Sequence, residues 1–237
     1  MIDSPEAIAN SLQALSEQFH AIAQNLANVN TSGYKRIMCD FINAPAGADP
    51  ATPGAITVKT VHDFSPAALV QTERALDLGL QGKGFFVLET PEGQLYTRHG
   101  VFTTSADGRL VDLSGRAVAG ESGPIVIPRN APLPSINVSA DGNISAGKTV
   151  LGKLKLVEFA DPQVLVAVGQ NAFQGPPNLA TAAKTTTVHQ GFQEASNVGA
   201  VDELVQLIMV SRLYEANTKA AHAYDERMKT LLGVAAG

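Results

Sequence analysis

Two stretches, one near each end of the chain, repeat their apolar residues every 3.5 positions, and no other feature constrains the fold as strongly. Ile8, Leu12, Leu15, Phe19, Ile22, Leu26 and Val29 follow one another at alternating steps of 4 and 3. Leu207, Val210, Tyr214, Asn217, Ala221, Tyr224, Met228 and Leu231 do the same. A 3.5-residue period marks a coiled-coil-like seam, narrower than the stripe of an ordinary surface helix. Ser4-Pro5-Glu6 supplies a cap, a proline at the first helical position and an acid for the first helix. Asn30-Thr31-Ser32-Gly33 is expected to end it. In the last helix Asp202 and Glu203 sit in the first turn after Ser196-Asn197. Leu204, Val205 and Ile208 are expected to widen its apolar face, and Gly233 to stop it. Asn217 interrupts the second seam, either as an exposed seam edge or as a polar residue that fixes register.

Between the seams the chain changes character. Residues 44–54, APAGADPATPG, read as a linker or mobile loop. From about 75 to 175 short apolar runs are cut by Glu92-Gly93, Asp107-Gly108, Ser114-Gly115 and Asp141-Gly142, which is hairpin chemistry. The letters SADG occur at 105–108 and again at 139–142. The expected fold class is therefore α+β. A β-rich middle domain of meander and hairpins, its sheet partly closed, occupies 75–189. Long N- and C-terminal helices, 1–36 with 190–237, pair as a coiled-coil-like terminal domain, and 37–74 forms a linker or extended loop region. Two narrow seams leave apolar positions uncovered when paired only with each other, so further copies are expected to cover them.

Composition excludes several function classes. Of 237 residues, 45% are hydrophobic and 16% charged, which suits a globular chain with a core. The formal net charge of −5 and the lack of a basic run argue against a nucleic-acid binder. One cysteine, Cys39, leaves no internal disulfide, and no apolar run reaches the length of a membrane span. MIDSPEAIAN has acids where a secretory signal would carry Lys or Arg, so no cleavable signal peptide is expected. His20, His62, His99, His189 and His222 are scattered without metal-ligand spacing. No catalytic residue, cofactor or metal site is expected.

One motif points elsewhere. GNISAGKT, Gly142–Thr149, fits the phosphate-binding loop of many nucleotide-binding proteins. Such a loop needs an apolar strand before it and a helix starting at its Lys-Thr. Here SINVSAD precedes it, and VLGKLKLVEF alternates after it in the period of a strand, shifting phase at Val157 as a bulge would make it do. A hairpin is the expected structure, with Lys148 a solvated or interfacial charge.

Three segments carry a resemblance. AQNLANVNTSGYKR (23–36) is similar to the N-terminal signature of bacterial flagellar axial proteins. LDLGLQGKGFFVL (76–88) with LYTRHGVFTTSADGRLV (95–111) resembles the entry to the β-rich middle domain of the rod and hook branch, and EASNVGAVDELVQLIMVSRLYEANTKA (194–220) resembles the C-terminal segment of basal-body rod proteins, nearest the distal rod type. Asn25, Leu26, Ala27, Asn28, Thr31, Gly33 and Tyr34 match the N-terminal box, with Gln24 where an Asn is usual. Gly84, Phe85 and Phe86 match the middle-domain entry, and Tyr214 and Asn217 the C-terminal Tyr-x-x-Asn. The resemblance implies a non-enzymatic subunit of the flagellar basal-body rod, self-assembling into a helical tube that transmits torque, with a hook or hook-associated protein as the alternative. It implies other rod, hook and ring proteins and the flagellar type III export apparatus as partners, and a place in the periplasm-spanning rod.

Overall fold

The computed structural model describes residues 5–43 and 56–235. It is α+β, with strands through the middle and one helix toward each end. The cap expected at Ser4 and the stretch 44–54 lie outside the described residues. The chain packs as two compact units, one of Met1–Ala27, Ile37–Asp63 and Val198–Gly237, the other of Asn28–Arg36 and Phe64–Asn197.

The first unit holds α1 (Pro5–Ala27), β1 (Ile37–Asn43), β2 (Ile56–His62) and α2 (Ala200–Ala235). At 1.5 Å per residue the helices are about 34 and 54 Å long. α1 stops at Ala27, so Val29, the last residue of the expected seam, lies in the turn that follows. The cause is local: the Thr31 N–H donates to the Asn28 carbonyl at 3.0 Å and the Thr31 hydroxyl to the Asn28 side chain at 3.1 Å, closing a turn that competes with further helix. α2, by contrast, continues through Gly233 to Ala235. Gly233 is not among the glycines with positive φ, so the expected stop does not form there. β1 and β2 pair antiparallel from Ile37 opposite His62 to Asn43 opposite Ile56. These strands occupy ground read from sequence as a linker. The β-branched residues of ITVKTVH are the signal that marks β2.

The second unit is built almost wholly of strands. They are β3 (Leu69–Gln71), β4 (Leu78–Gln81), β5 (Phe85–Thr90), β6 (Gly93–Thr97), β7 (Phe102–Thr104), β8 (Leu110–Asp112), β9 (Ala117–Gly120), β10 (Gly123–Pro124), β11 (Ile136–Val138), β12 (Asn143–Ala146), β13 (Thr149–Lys153), β14 (Leu156–Phe159), β15 (Val166–Gly169), β16 (Ala172–Gln174), β17 (Ala180–Ala182), β18 (Thr187–Gln190) and β19 (Phe192–Glu194). The main sheet runs β15-β16-β6-β5-β9-β8-β7, with β14 also on β5. Its end strands do not pair, and no closed sheet forms among the described residues; closure would need ladder hydrogen bonds between first and last strand. β11, β12 and β13 form a separate three-stranded sheet.

Strand β5 is buried on both faces, and its alternation assembles two cores. Phe86 and Leu88 enter one with Leu78, Leu80, Phe102, Leu110 and Ile144. Phe85 and Val87 enter the other with Tyr96, Phe159 and Phe173. The phase shift expected at Val157 is the chain passing from one core to the other: Leu154 and Leu156 pack on the first, Val157 and Phe159 on the second. The ladder irregularity itself lies earlier, between Ile144 and Ser145.

The two SADG turns are built alike. In each the Gly N–H donates to the Ser carbonyl at 2.9 Å, and the Ser N–H donates to the carbonyl of the residue after Gly at 2.9 Å. That residue's N–H returns to the Ser hydroxyl at 3.1 Å. Gly108 and Gly142 take φ of 81° and 86°, which glycine alone adopts freely. Thr104 opposite Leu110 in one hairpin corresponds to Val138 opposite Ile144 in the other. The GNISAGKT stretch is thereby accounted for. Gly142 closes the second SADG turn, Thr149 opens β13, and Lys148 lies exposed in the turn between β12 and β13. No helix N-terminus stands there to receive a phosphate, so the nucleotide-loop reading is overturned.

Candidate assembly site: the helix seams and the connector junction

Within the first unit α1 and α2 lie antiparallel. The Ser11 hydroxyl donates to the Asn217 side chain at 3.3 Å, while Leu15 and Ile22 pack with Val210 and Leu207. The two seams thus meet at their centres. Ile8, Leu15, Ile22 and Val210 are buried, and Leu12, Leu26, Leu207, Asn217, Ala221 and Tyr224 are half-buried. Phe19, Tyr214, Met228 and Leu231 are exposed. Phe19 and Tyr214 line a groove of about 350 Å³ with Ser16, Val210, Ser211 and Glu215. The Asn217 side chain accepts from Ser11 of α1 and donates to the Leu213 carbonyl at 2.9 Å.

Leu204, Val205 and Ile208 do not widen the face toward α1. At 100° per residue they lie about 120–160° around α2 from Val210, and with Val201 and Met209 they form a second, exposed stripe. A helix with apolar residues on two opposite sides has more to bury than one partner helix covers.

The residues of the N-terminal box act as joints. Asn25, buried, clamps β1 twice: its amide donates to the Ile37 carbonyl at 2.8 Å and its oxygen accepts from the Ile37 N–H at 2.8 Å. Leu26 and Ala27 end the helix, and Asn28 and Thr31 close the turn after it. Gly33, at φ +66°, lies against the Arg98–His99 backbone, where a Cβ would fall 2.6 Å from the Arg98 carbonyl carbon. Tyr34 is buried and its carbonyl accepts from the Asn197 N–H. Gly84 is held by the Thr186 hydroxyl at 2.9 Å, in a space a Cβ would close. Phe85 and Phe86 then serve the two cores, Phe85 edge-on to Phe64 and Phe159 and Phe86 to Phe102.

The sequence reading did not single out the buried charges at this junction. Lys35, Arg98 and Glu194 are each about 1% exposed. Lys35 Nζ lies 2.8 Å from Glu194 Oε1, and Arg98 Nη1 lies 3.2 Å from Glu194 Oε2. Arg98 also donates to the Gly82 carbonyl at 2.6 Å and stacks over Phe85. Burial lowers the Arg98 pKa from its usual value, and Glu194 opposes that shift. Apolar periodicity cannot reveal such groups. The only signal was a charge inside segments otherwise made of small and aromatic residues.

Other candidate chemistry is sparse. Burial, helped by Glu17, pushes the Cys39 thiol up, away from reactivity. Among the described residues no His, Cys, Asp or Glu cluster of three converges as a metal cage, and no helix is long and apolar enough to cross a membrane.

Comparison with known proteins places each end of the chain and its middle. Residues 8–35 match the family described as "Flagella basal body rod protein", residues 79–146 the "Flagellar hook protein FlgE/F/G D1 domain", and residues 189–234 the "Flagellar basal body rod FlgEFG protein C-terminal". The flagellar basal-body rod protein FlgG of Buchnera aphidicola from Acyrthosiphon pisum is 31% identical over 98% of this chain and 99% of its own length. The rod protein FlgF of Caulobacter vibrioides is 34% identical over 86% of each, and FlgG of Bacillus subtilis 30% identical over 95% and 96%. With its helix seams, twin hairpins and joint residues carried on those same segments, the chain belongs to the flagellar basal-body rod protein family.

Proposed function

We propose that this chain is a structural, non-enzymatic subunit of the bacterial flagellar basal-body rod. In this reading it assembles with copies of itself into a helical tube that transmits torque, in contact with other rod, hook and ring proteins. It reaches the periplasm-spanning rod through the flagellar type III export apparatus. Residues 1–36 and 190–237 act as the terminal assembly domain, their helices pairing as a coiled coil, while 75–189 forms the β-rich body.

The observation that carries the reading is the double-sided α2. One side meets α1, and the other presents Val201, Leu204, Val205, Ile208 and Met209 to solvent. Open stripes on subunits whose relatives are named rod proteins favour burial against neighbouring copies. Because Ile208 is exposed, Ile208→Asp should change the stability of the isolated chain by no more than about 0.5 kcal/mol. It should nevertheless abolish rod incorporation and motility in cells. A motile strain carrying the variant in its rods at the wild-type level would sink the reading. The hook alternative has one supporting observation, the hook-protein description of the model matched by 79–146. Location of the labelled chain in purified hook-basal bodies separates the two.

A further inference from the structure

Glu194 serves an unusual number of chain segments. Its Oε1 accepts from Lys35 Nζ at 2.8 Å and from the Ala67 N–H at 2.9 Å. Its Oε2 accepts from Arg98 at 3.2 Å, and its own carbonyl accepts from the Gly33 N–H at 2.7 Å. Lys35 reaches on to the Ser65 carbonyl at 2.6 Å. Three residues later Asn197 repeats the pattern: it accepts from the Arg36 N–H at 2.7 Å, and its amide lies 3.3 Å from the Ser65 hydroxyl. The chain passes between its two units at four places, after 27, 36, 63 and 197. This one network holds residues within three positions of the last three passages. Each of the three family-matched segments supplies one charge to it, Lys35, Arg98 and Glu194.

Such a cluster is a poor source of stability. All three charges are buried, and the desolvation of each offsets much of the attraction. What directional hydrogen bonds among buried ions do supply is a single geometry, because any other register strands a charge. We propose that Glu194 is a positioning residue that locks the connector 28–36 and the crossing at 194–197 onto the β unit in one register. Gly33 permits the approach, and Glu194 fixes it. The two apolar cores of the β unit contain no residue of 28–36, so breaking the lock leaves those cores packed. The consequence for rod assembly rests on the function proposed above; the lock itself does not.

Amide hydrogen exchange on the full-length, unassembled chain tests it. In Glu194→Gln, which keeps the shape and removes the charge, the amides of Gly33, Arg36 and Asn197 should lose at least tenfold in protection. Those of β5 and β6 should change by less than twofold. Wild-type protection at Gly33 and Arg36 in this variant would overturn the proposal. Should Glu194→Gln fail to fold, the triple variant Lys35→Met, Arg98→Met, Glu194→Leu decides, since it removes the three charges together. The lock requires that it fold with the connector amides unprotected, whereas full protection would show the cluster to be replaceable filling. Incorporation of the same variants into rods is scored separately. An unlocked chain that still enters rods would contradict only the assembly consequence, while intact exchange protection would contradict the lock.

Discussion

Gly33 approaches the backbone of Arg98 and His99 so closely that no side chain fits. Its φ of +66° is also one that other residues adopt only with strain. Gly33→Ala meets both obstacles and should cost about 2 kcal/mol or more, read as a lowered midpoint of chemical unfolding. Its neighbour His99 answers to pH. Burial holds its imidazole below the ordinary 6.5; Arg116 adds to that shift, and Asp112 and Asp77 oppose it. With a depressed folded value, the unfolded chain takes up the proton first as pH falls through 6.5, so the folded form loses stability on acidification. Above pH 7.5 both states are neutral and the residue contributes no slope. His99→Gln should therefore flatten the decline in stability between pH 7 and 5 relative to wild type. An unchanged slope would mean that the imidazole is solvated in the fold. Neither role follows from composition or spacing. Gly33 could be read as a helix stop, but what it touches is 65 residues away in sequence, and only tertiary packing supplies that.

At the scale of elements the twin SADG turns form a controlled pair with the Ser114-Gly115 turn. Asp112 there plays the part of the serines, its Oδ1 accepting from the Arg116 N–H at 2.8 Å. Gly108 and Gly115 share nearly the same φ, 81° and 80°. A Cβ on Gly108 would lie 2.6 Å from the Ile127 carbonyl oxygen, whereas one on Gly115 would meet nothing within 4 Å. Gly115→Ala should cost about 1 kcal/mol, the strain of the backbone alone. Gly108→Ala should cost clearly more, because the Ile127 backbone must move; thermal unfolding of the two variants gives the comparison. Equal losses would show that the Ile127 segment yields freely. These elements were the most legible in the sequence, since an Asp-Gly or Ser-Gly pair between alternating runs dictates its own conformation. The 3.5-residue seams were legible too. Their limits were not, because Asn28 and Thr31 close a local turn at one end of a seam and Gly233 accepts helix at the end of the other. That Leu204, Val205 and Ile208 lie away from α1 was also hidden, as they fit a core-facing stripe equally well until the partner helix is placed. The buried Lys35–Glu194–Arg98 cluster was illegible, because long-range pairing of charges leaves no periodic trace.

For the whole molecule, the length of α2 separates folding from assembly. Ser11 stands opposite Asn217 and Ile22 packs near Leu207 in the antiparallel pair. Counting along the register, Pro5 comes opposite about residue 223. The final turns of α2 therefore pass beyond the described part of α1, and there Met228, Leu231, Leu232 and Val234 are exposed. Buried residues of α2 are Glu203 and Val210, both in its first third. Ordering a residue costs roughly 1–2 kcal/mol in backbone entropy, and a helical stretch of a dozen residues without tertiary burial is marginal in water. The end of α2 lacks the burial that offsets this cost within one chain. In the unassembled protein the amides from 224 to 232 should accordingly exchange within about tenfold of the rate of an unstructured peptide, while those near Val210 stay protected. Packing against neighbours would bury the open apolar residues and slow exchange at 224–232 in assembled material by orders of magnitude. Strong protection at 224–232 in the isolated chain would show that α2 is stable by itself, and ordering of this helix could then not be the step that assembly drives.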